Sequence, residues 1–458
     1  MEKDVRTRLQ EMVASGQVRL QPLTFPQREL WETSSVPPAD PANNICSFLD
    51  IRGPLSLEMC REALRLVIER QEVMRTSFLP GKDRPVQMIR AQAEPVLTYR
   101  DLGSAGADDA QLIEAMSESF SRPFDLVRGP LYRVEMLRRG PDRHAIGLAV
   151  HHAIADGWTV TSFVEDFCTA CIIVWRKSGK DMSRVQGIRD SLPPLAMTYS
   201  AWGAAERARW QPEEIERHAV YWGNRLSGAR LLLTAPAEVA AEALAKWATF
   251  LSAEVTDPVR ALAKRSGTTL FSTLATAFRF ALLRWKGADD VVLGTPVAGR
   301  AKAASKETMG YFSGIVPLRA RLDASCSFEQ NLQEVHRQAV DDFAHVMPFA
   351  ELAAAVEGGG PRGRHAIYDV RFAMQNHPWP SIEIPGISTK LRTLASGTSR
   401  FDIACELTED GRSLELIWLH RPSVVTASEI RDLDRIFRAE LTGACQVPET
   451  LSSSTVTL

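Results

Sequence analysis

A proline-rich break at residues 191–194 divides the sequence into two stretches, and each mixes apolar patterns of period two with patterns of period 3.6. This predicts two lobes, both mixed α and β. The chain of 458 residues also exceeds what one hydrophobic core usually serves. In the first stretch, the alternation over 46–51 reads as a strand and Gly53-Pro54 as a turn. Leu57, Cys60, Leu64, Val67 and Ile68 behind Ser56 then read as a capped helix. Residues 131–137 and 144–150 read as further strands, followed by a glycine-containing loop and a helix with Phe163, Phe167, Cys171 and Trp175 on one stripe. In the second stretch Leu270, Leu274, Phe278 and Leu282 share a helical register, and 289–296 reads as a strand. The polar, Trp- and Arg-bearing stretch from the break to about Arg225 is expected to be a connecting element. These patterns place an N-terminal lobe at 1–185, a C-terminal lobe at 186–450 and a flexible tail at 451–458, with a flexible loop at 358–361.

The chain carries 54 basic and 56 acidic residues, a formal net charge of −2, with no long run of either sign. No electrostatic footprint for nucleic acid or an anionic membrane is present. The charged N-terminus lacks the apolar stretch of a signal peptide, and no uninterrupted apolar run is expected to approach a membrane span, so a cytoplasmic location is expected. Seven dispersed cysteines do not form a disulfide framework and are expected to be reduced. Cys168 and Cys171 form a C-x-x-C inside a helical pattern without further ligands nearby, which reads as two small buried residues one turn apart.

The segment HHAIADGW at 151–158 lies where a strand gives way to a loop. Histidine, with an ordinary pKa of ~6.5, accepts and returns a proton near neutrality, and strand-end loops are where rigid scaffolds present such groups. Adjacent side chains of extended backbone face opposite ways, so one of His151 and His152 faces a given cavity while the other packs inward. Asp156 is placed to hold the loop, and Gly157 allows a backbone angle or close approach that a side chain would block. Paired histidines also suit a metal site, but no further ligands stand at a diagnostic spacing. On these residues alone, structural and catalytic readings stand level.

The segment is similar to the signature of the condensation-domain family of non-ribosomal peptide synthetases, within the chloramphenicol-acetyltransferase-like superfamily. Further stretches resemble that family in order: PLTFPQRELW at 22–31, RQEVMRTSF at 70–78, FDL at 124–126 with GPLYR at 129–133, GTPVAGR at 294–300, GYF at 310–312 through PLR at 317–319, MPF at 347–349 and SRFD at 399–402. The family usually has His where Gln71 stands, and often reads Phe-Phe-Val-Asn-Thr where this chain has Tyr311, Phe312, Ser313, Gly314 and Ile315. Its usual strand near the end is replaced around residues 417–420.

The resemblance implies an α/β fold of the α+β sandwich type, with two chloramphenicol-acetyltransferase-like lobes meeting in a V and an active-site tunnel between them. It implies His152 at the middle of that tunnel, Gly157 as a backbone donor to a developing oxyanion, and His151 packed inward. Asp156 is implied to pair with Arg300 of the second lobe, and Trp158, Ser313, Gly314 and Ser399 to line the tunnel. The implied reaction transfers an acyl, peptidyl or polyketide group from a phosphopantetheine thioester to an amine or hydroxyl. His152 then serves either as a full general base or chiefly as a positioning group. No cofactor is intrinsic, since the phosphopantetheine arm belongs to an acyl or peptidyl carrier protein, expected to act in trans on a free-standing monomer. Two rivals are a coenzyme A-dependent acyltransferase of the same superfamily and a non-catalytic carrier-recruitment module.

Overall fold

The computed structural model describes residues 2–32, 37–81, 84–103, 109–178, 191–233, 244–300, 302–356, 367–375, 388–396 and 401–446. The fold is mixed α/β. The first half contributes β1 (Val18–Pro22), β2 (Asn44–Arg52), β3 (Thr76–Leu79), β4 (Val86–Arg90), β5 (Leu97–Asp101), β6 (Tyr132–Gly140) and β7 (Arg143–His151). The second contributes β8 (Ala245–Leu251), β9 (Asp290–Val297), β10 (Gly314–Arg321), β11 (Val370–Gln375), β12 (Ser388–Ser396), β13 (Ile403–Asp410) and β14 (Ser413–His420). Among the described residues they form three sheets, ordered β1-β4-β3, β12-β2-β7-β6-β5 and β10-β9-β11-β13-β14-β8.

β2 and β7 are largely buried on both faces; residues 145–150 of β7 accordingly run without a polar side chain, while β2 buries Asn44 and Ser47 as well as its apolar residues. Phe163 and Phe167 of the helix Gly157–Lys177 meet Leu49, Ile146 and Leu148 on one face. On the other, Met116 of the helix Asp109–Ser121 fills the space left by Gly147, where an added Cβ would sit 2.9 Å from its methyl. The helix Leu57–Arg70 begins where Ser56 Oγ accepts the Met59 N–H at 3.2 Å, a cap contributing about 1 kcal/mol. Its apolar face buries Cys60, Leu64, Val67 and Ile68.

The helix Gly157–Lys177 is long and apolar enough by composition to cross a bilayer, although Glu165 and Asp166 interrupt its apolar run, and it is largely buried as a core helix. Its Cys168 and Cys171 are free, and burial pushes both thiols up, Cys168 to about 12, which leaves them unreactive. Residues 199–226 are more than a connector: the helices Tyr199–Arg209 and Pro212–Leu226 bury Tyr199, Trp202, Trp210 and Trp222. The stretch reads as polar because each helix exposes a charged face, while His218, Trp222 and Leu226 recur at helical spacing on the buried one. Finally, sheet membership crosses the boundary placed at 185/186. β12 pairs antiparallel along β2, from Ser388 opposite Arg52 to Ser396 opposite Ile45, and so covers an edge of β2 that would otherwise lie open. The loop at 358–361 and the tail at 451–458 lie outside the described residues.

Candidate active site

β7 ends at His151, and the chain turns at once into a single 3-10 turn, His152–Ile154. His151 builds that turn itself, its Nδ1 accepting the Ala153 N–H at 3.1 Å. With Nδ1 accepting, Nε2 carries the proton and donates to the Pro38 carbonyl at 2.7 Å, so the ring is a neutral, doubly bonded structural group. Gln27, from the stretch at 22–31, donates to the Ala153 carbonyl at 2.9 Å and accepts the Thr24 N–H at 3.0 Å. The turn is thus clamped from both sides, and His152, 6% exposed, lies with its ring centroid 4.2 Å from that of Tyr311.

Burial drives the His151 pKa down to about 4, with a smaller push from His152, despite the favourable Pro38 hydrogen bond. The unfolded chain therefore binds a proton near pH 6.5 that the folded chain refuses until about pH 4. Stability from His151 is full above pH ~6.5 and declines as pH falls through that window, by about 3 kcal/mol in all. His151→Asn should flatten this decline in urea melts measured between pH 7 and 4.5. An unchanged slope would rule out the buried neutral ring as its source.

Asp156 caps the helix Gly157–Lys177, its Oδ1 accepting the Thr159 N–H at 2.9 Å. Arg300 binds the same carboxylate bidentately, Nη1 to Oδ2 at 2.6 Å and Nη2 to Oδ1 at 3.1 Å, and the Phe312 N–H donates to Oδ2 at 3.1 Å. Burial alone would raise the Asp156 pKa, but the Arg300 charge and these hydrogen bonds outweigh it and hold the carboxyl below its ordinary value. The Arg300 guanidinium also lies 4.0 Å over the Phe312 ring and 5.6 Å from that of Trp158. The Thr159 hydroxyl accepts the Gly310 N–H at 3.0 Å and lies 2.8 Å from the Gly310 carbonyl, and the Tyr199 hydroxyl donates to the Tyr311 carbonyl at 2.7 Å. Residues 310, 311 and 312 are therefore each pinned to another part of the chain.

Gln71 fills the position where the family usually has His. Its amide donates to Asp166 Oδ2 at 2.8 Å and to the Glu307 carbonyl at 2.9 Å, and accepts the Met309 N–H at 3.0 Å. Arg70 pairs with Asp166 and Glu307 beside it. These bonds fasten the segment leading to residues 310–312 onto the helices Leu57–Arg70 and Gly157–Lys177.

The structure thus gathers His151, His152, Asp156 and Arg300 at one place, with Tyr311 and Phe312. Gly157 is exposed, begins its helix and is not among the glycines at positive φ, so the special backbone angle expected there is not what it supplies. Its N–H belongs instead to the first helical turn, whose amides lack intrahelical acceptors. Trp158 is half-buried and donates its indole N–H to the Lys306 carbonyl at 2.9 Å. Ser313 and Gly314 are half-buried where β10 begins opposite Val297, and Ser399 lies outside the described residues. Gln27, Gln71, Thr159, Tyr199 and Tyr311 had no assigned role. Four of the five sit in or beside the quoted stretches, but their partners lie far off in sequence.

A strand-end histidine pair, followed by a helix-capping aspartate that an arginine from the other half of a mixed α/β fold holds, is the arrangement of a condensation-type protein. The chain belongs to the condensation-domain family, whose model, described as Condensation domain, matches residues 17–458. It is 30% identical over 397 residues to phosphinothricin tripeptide synthetase PhsC of Streptomyces viridochromogenes, covering 85% of this chain and 36% of that protein. It is 27% identical over 395 residues to malpibaldin synthetase of Mortierella alpina, covering 85% of this chain and 7% of that protein. The chain therefore spans a small part of these curated relatives. Among solved structures it is similar to the X-domain from teicoplanin biosynthesis, with a TM-score of 0.78 at 22% identity, covering 92% of this chain and 94% of that one.

Proposed function

We propose that this domain transfers an acyl, peptidyl or polyketide group from the phosphopantetheine thioester of a carrier protein, acting in trans, to an amine or hydroxyl acceptor. The observation that carries this reading is the rigid turn that fixes His152 at the end of β7. Attack on a thioester is a problem of positioning the nucleophile and removing its proton as it commits. The acceptor nitrogen or oxygen bonds to the thioester carbon while its proton passes to His152. As the carbon–sulfur bond breaks, the leaving thiolate takes that proton back. The first-turn N–H of Gly157 is the candidate donor to the transient oxyanion. Asp156 and Arg300 hold the helix start and the 310–312 segment in place and take no part in proton transfer.

The test presents one acyl group on a carrier protein, on coenzyme A and on a short pantetheine thioester, with a panel of amines and alcohols. Intact-protein mass spectrometry follows unloading of the carrier, and kcat/KM is compared across donors. Clear preference for the carrier is expected. Equal kcat/KM for the small thioesters would transfer the reading to a coenzyme A-dependent acyltransferase, and carrier binding without turnover would make the domain a recruitment module.

A further inference from the structure

We propose that Tyr311 is a positioning residue whose ring face stabilises the cationic form of His152 as that histidine takes up the acceptor's proton. This rests on the reading of His152 as the proton-accepting group. The two rings lie with centroids 4.2 Å apart and planes tilted by 54°, and both side chains are nearly buried. An aromatic face within ~6 Å of a cation attracts it through the ring quadrupole, most strongly where water is excluded. The interaction is weak with neutral imidazole and strong with imidazolium, so it favours the transition state over the ground state.

The ring is held there by its backbone. The Tyr311 carbonyl accepts the Tyr199 hydroxyl, whose oxygen also lies 2.8 Å from Thr24 Oγ1, and on either side the Gly310 and Phe312 amides are bonded to Thr159 and Asp156. A Cβ at Gly310 would sit 2.3 Å from the Tyr199 ring, so this close approach depends on glycine. Three described titratable groups of this region are held uncharged or paired. His151 is neutral by its hydrogen bonds, Asp156 is neutralised by Arg300, and burial raises the Tyr199 phenol well above its ordinary pKa, keeping it uncharged. The Tyr311 ring, packed against His152 at a centroid distance of 4.2 Å, is placed to answer the developing charge. The chain's departure to Tyr from the family's frequent Phe keeps that face.

The experiment places phenylalanine and its mono-, di- and trifluorinated analogues at position 311 of the whole chain, a series that keeps the ring's shape while draining its negative face. Tyr311→Met serves as the non-aromatic member. Protein labelled with 13C at histidine Cε1 is titrated by NMR, with the His152 signal assigned by its loss in His152→Ala, and thermal melts confirm folding. The His152 midpoint is expected to fall stepwise with fluorination, by several tenths to about 1.5 pH units in total, with a parallel 3- to 30-fold loss of kcat on the carrier-bound donor. Tyr311→Phe is the reference member from which the stepwise fall is read. A midpoint that stays constant across the series, or a His152 that takes up no proton between about pH 5 and 8 in any variant, would overturn the inference. Because the titration needs no substrate, it is decided separately from the condensation reading: a flat series alongside an inactive His152→Ala sinks only the role of Tyr311.

Discussion

His152→Ala should lower the rate of acyl transfer from a loaded carrier by ~10²–10⁴-fold, the usual contribution of a positioned acid–base group. The protein should stay folded. The turn that carries residue 152 is built by other atoms: His151 Nδ1 on the Ala153 N–H, and the Gln27 amide on the Ala153 carbonyl. Removing the imidazole leaves both in place. His151→Ala should do the reverse, because it deletes a fully buried ring that makes two hydrogen bonds and would strand the Ala153 N–H and the Pro38 carbonyl. Single-turnover mass spectrometry and thermal melts on the two variants separate chemistry from scaffolding. Wild-type turnover in His152→Ala would remove the mechanism, whatever the melts show.

Arg300→Ala and Asp156→Ala should each cost ~3–5 kcal/mol of stability, because truncating one member strands the other as a buried charge. Both side chains are almost wholly buried, and Arg300 has nowhere to reach water. The double variant should fall well short of the sum. In it the Phe312 and Thr159 amides still lose their acceptor, but no isolated charge remains. Arg300→Lys should not rescue, since the two-pronged contact at 2.6 and 3.1 Å needs the guanidinium fork. The pH response has a defined sign. Asp156 has a folded-state pKa below its ordinary value, so its stabilisation is present above the ordinary aspartate range and is lost as pH falls through the depressed value. Activity should fall along with stability, because Arg300 and Asp156 jointly hold residues 310–312, and with them Tyr311, against His152. Strict additivity in urea denaturation would mean that the pair does not form in solution.

Several elements of the fold were legible residue by residue. The helix Leu57–Arg70 was readable because its cap and its apolar stripe are local: Ser56 bonds three residues on, and Cys60, Leu64, Val67 and Ile68 are set by helical period alone. The same locality made the strand before His151 and the helix after Asp156 visible. The Pro38 carbonyl that His151 meets is set by packing. The helices at 199–226 read as a connector because their charged faces dominate the composition, while the partners that bury Trp202 and Trp222 belong to other parts of the chain.

The sequence by itself determined the elements, their amphipathic faces and the strand-end placement of His152, since each depends on neighbours within about a turn. The tertiary structure decided what those faces meet. β12 joins β2 through backbone hydrogen bonds, which every residue type offers, so no side chain advertises the pairing. Gln71 holds Met309, Tyr199 holds Tyr311, and Tyr311 lies against His152, because packing brings these distant positions together. A pattern of buried and exposed residues records that a face must be covered, and only the packed chain selects the group that covers it.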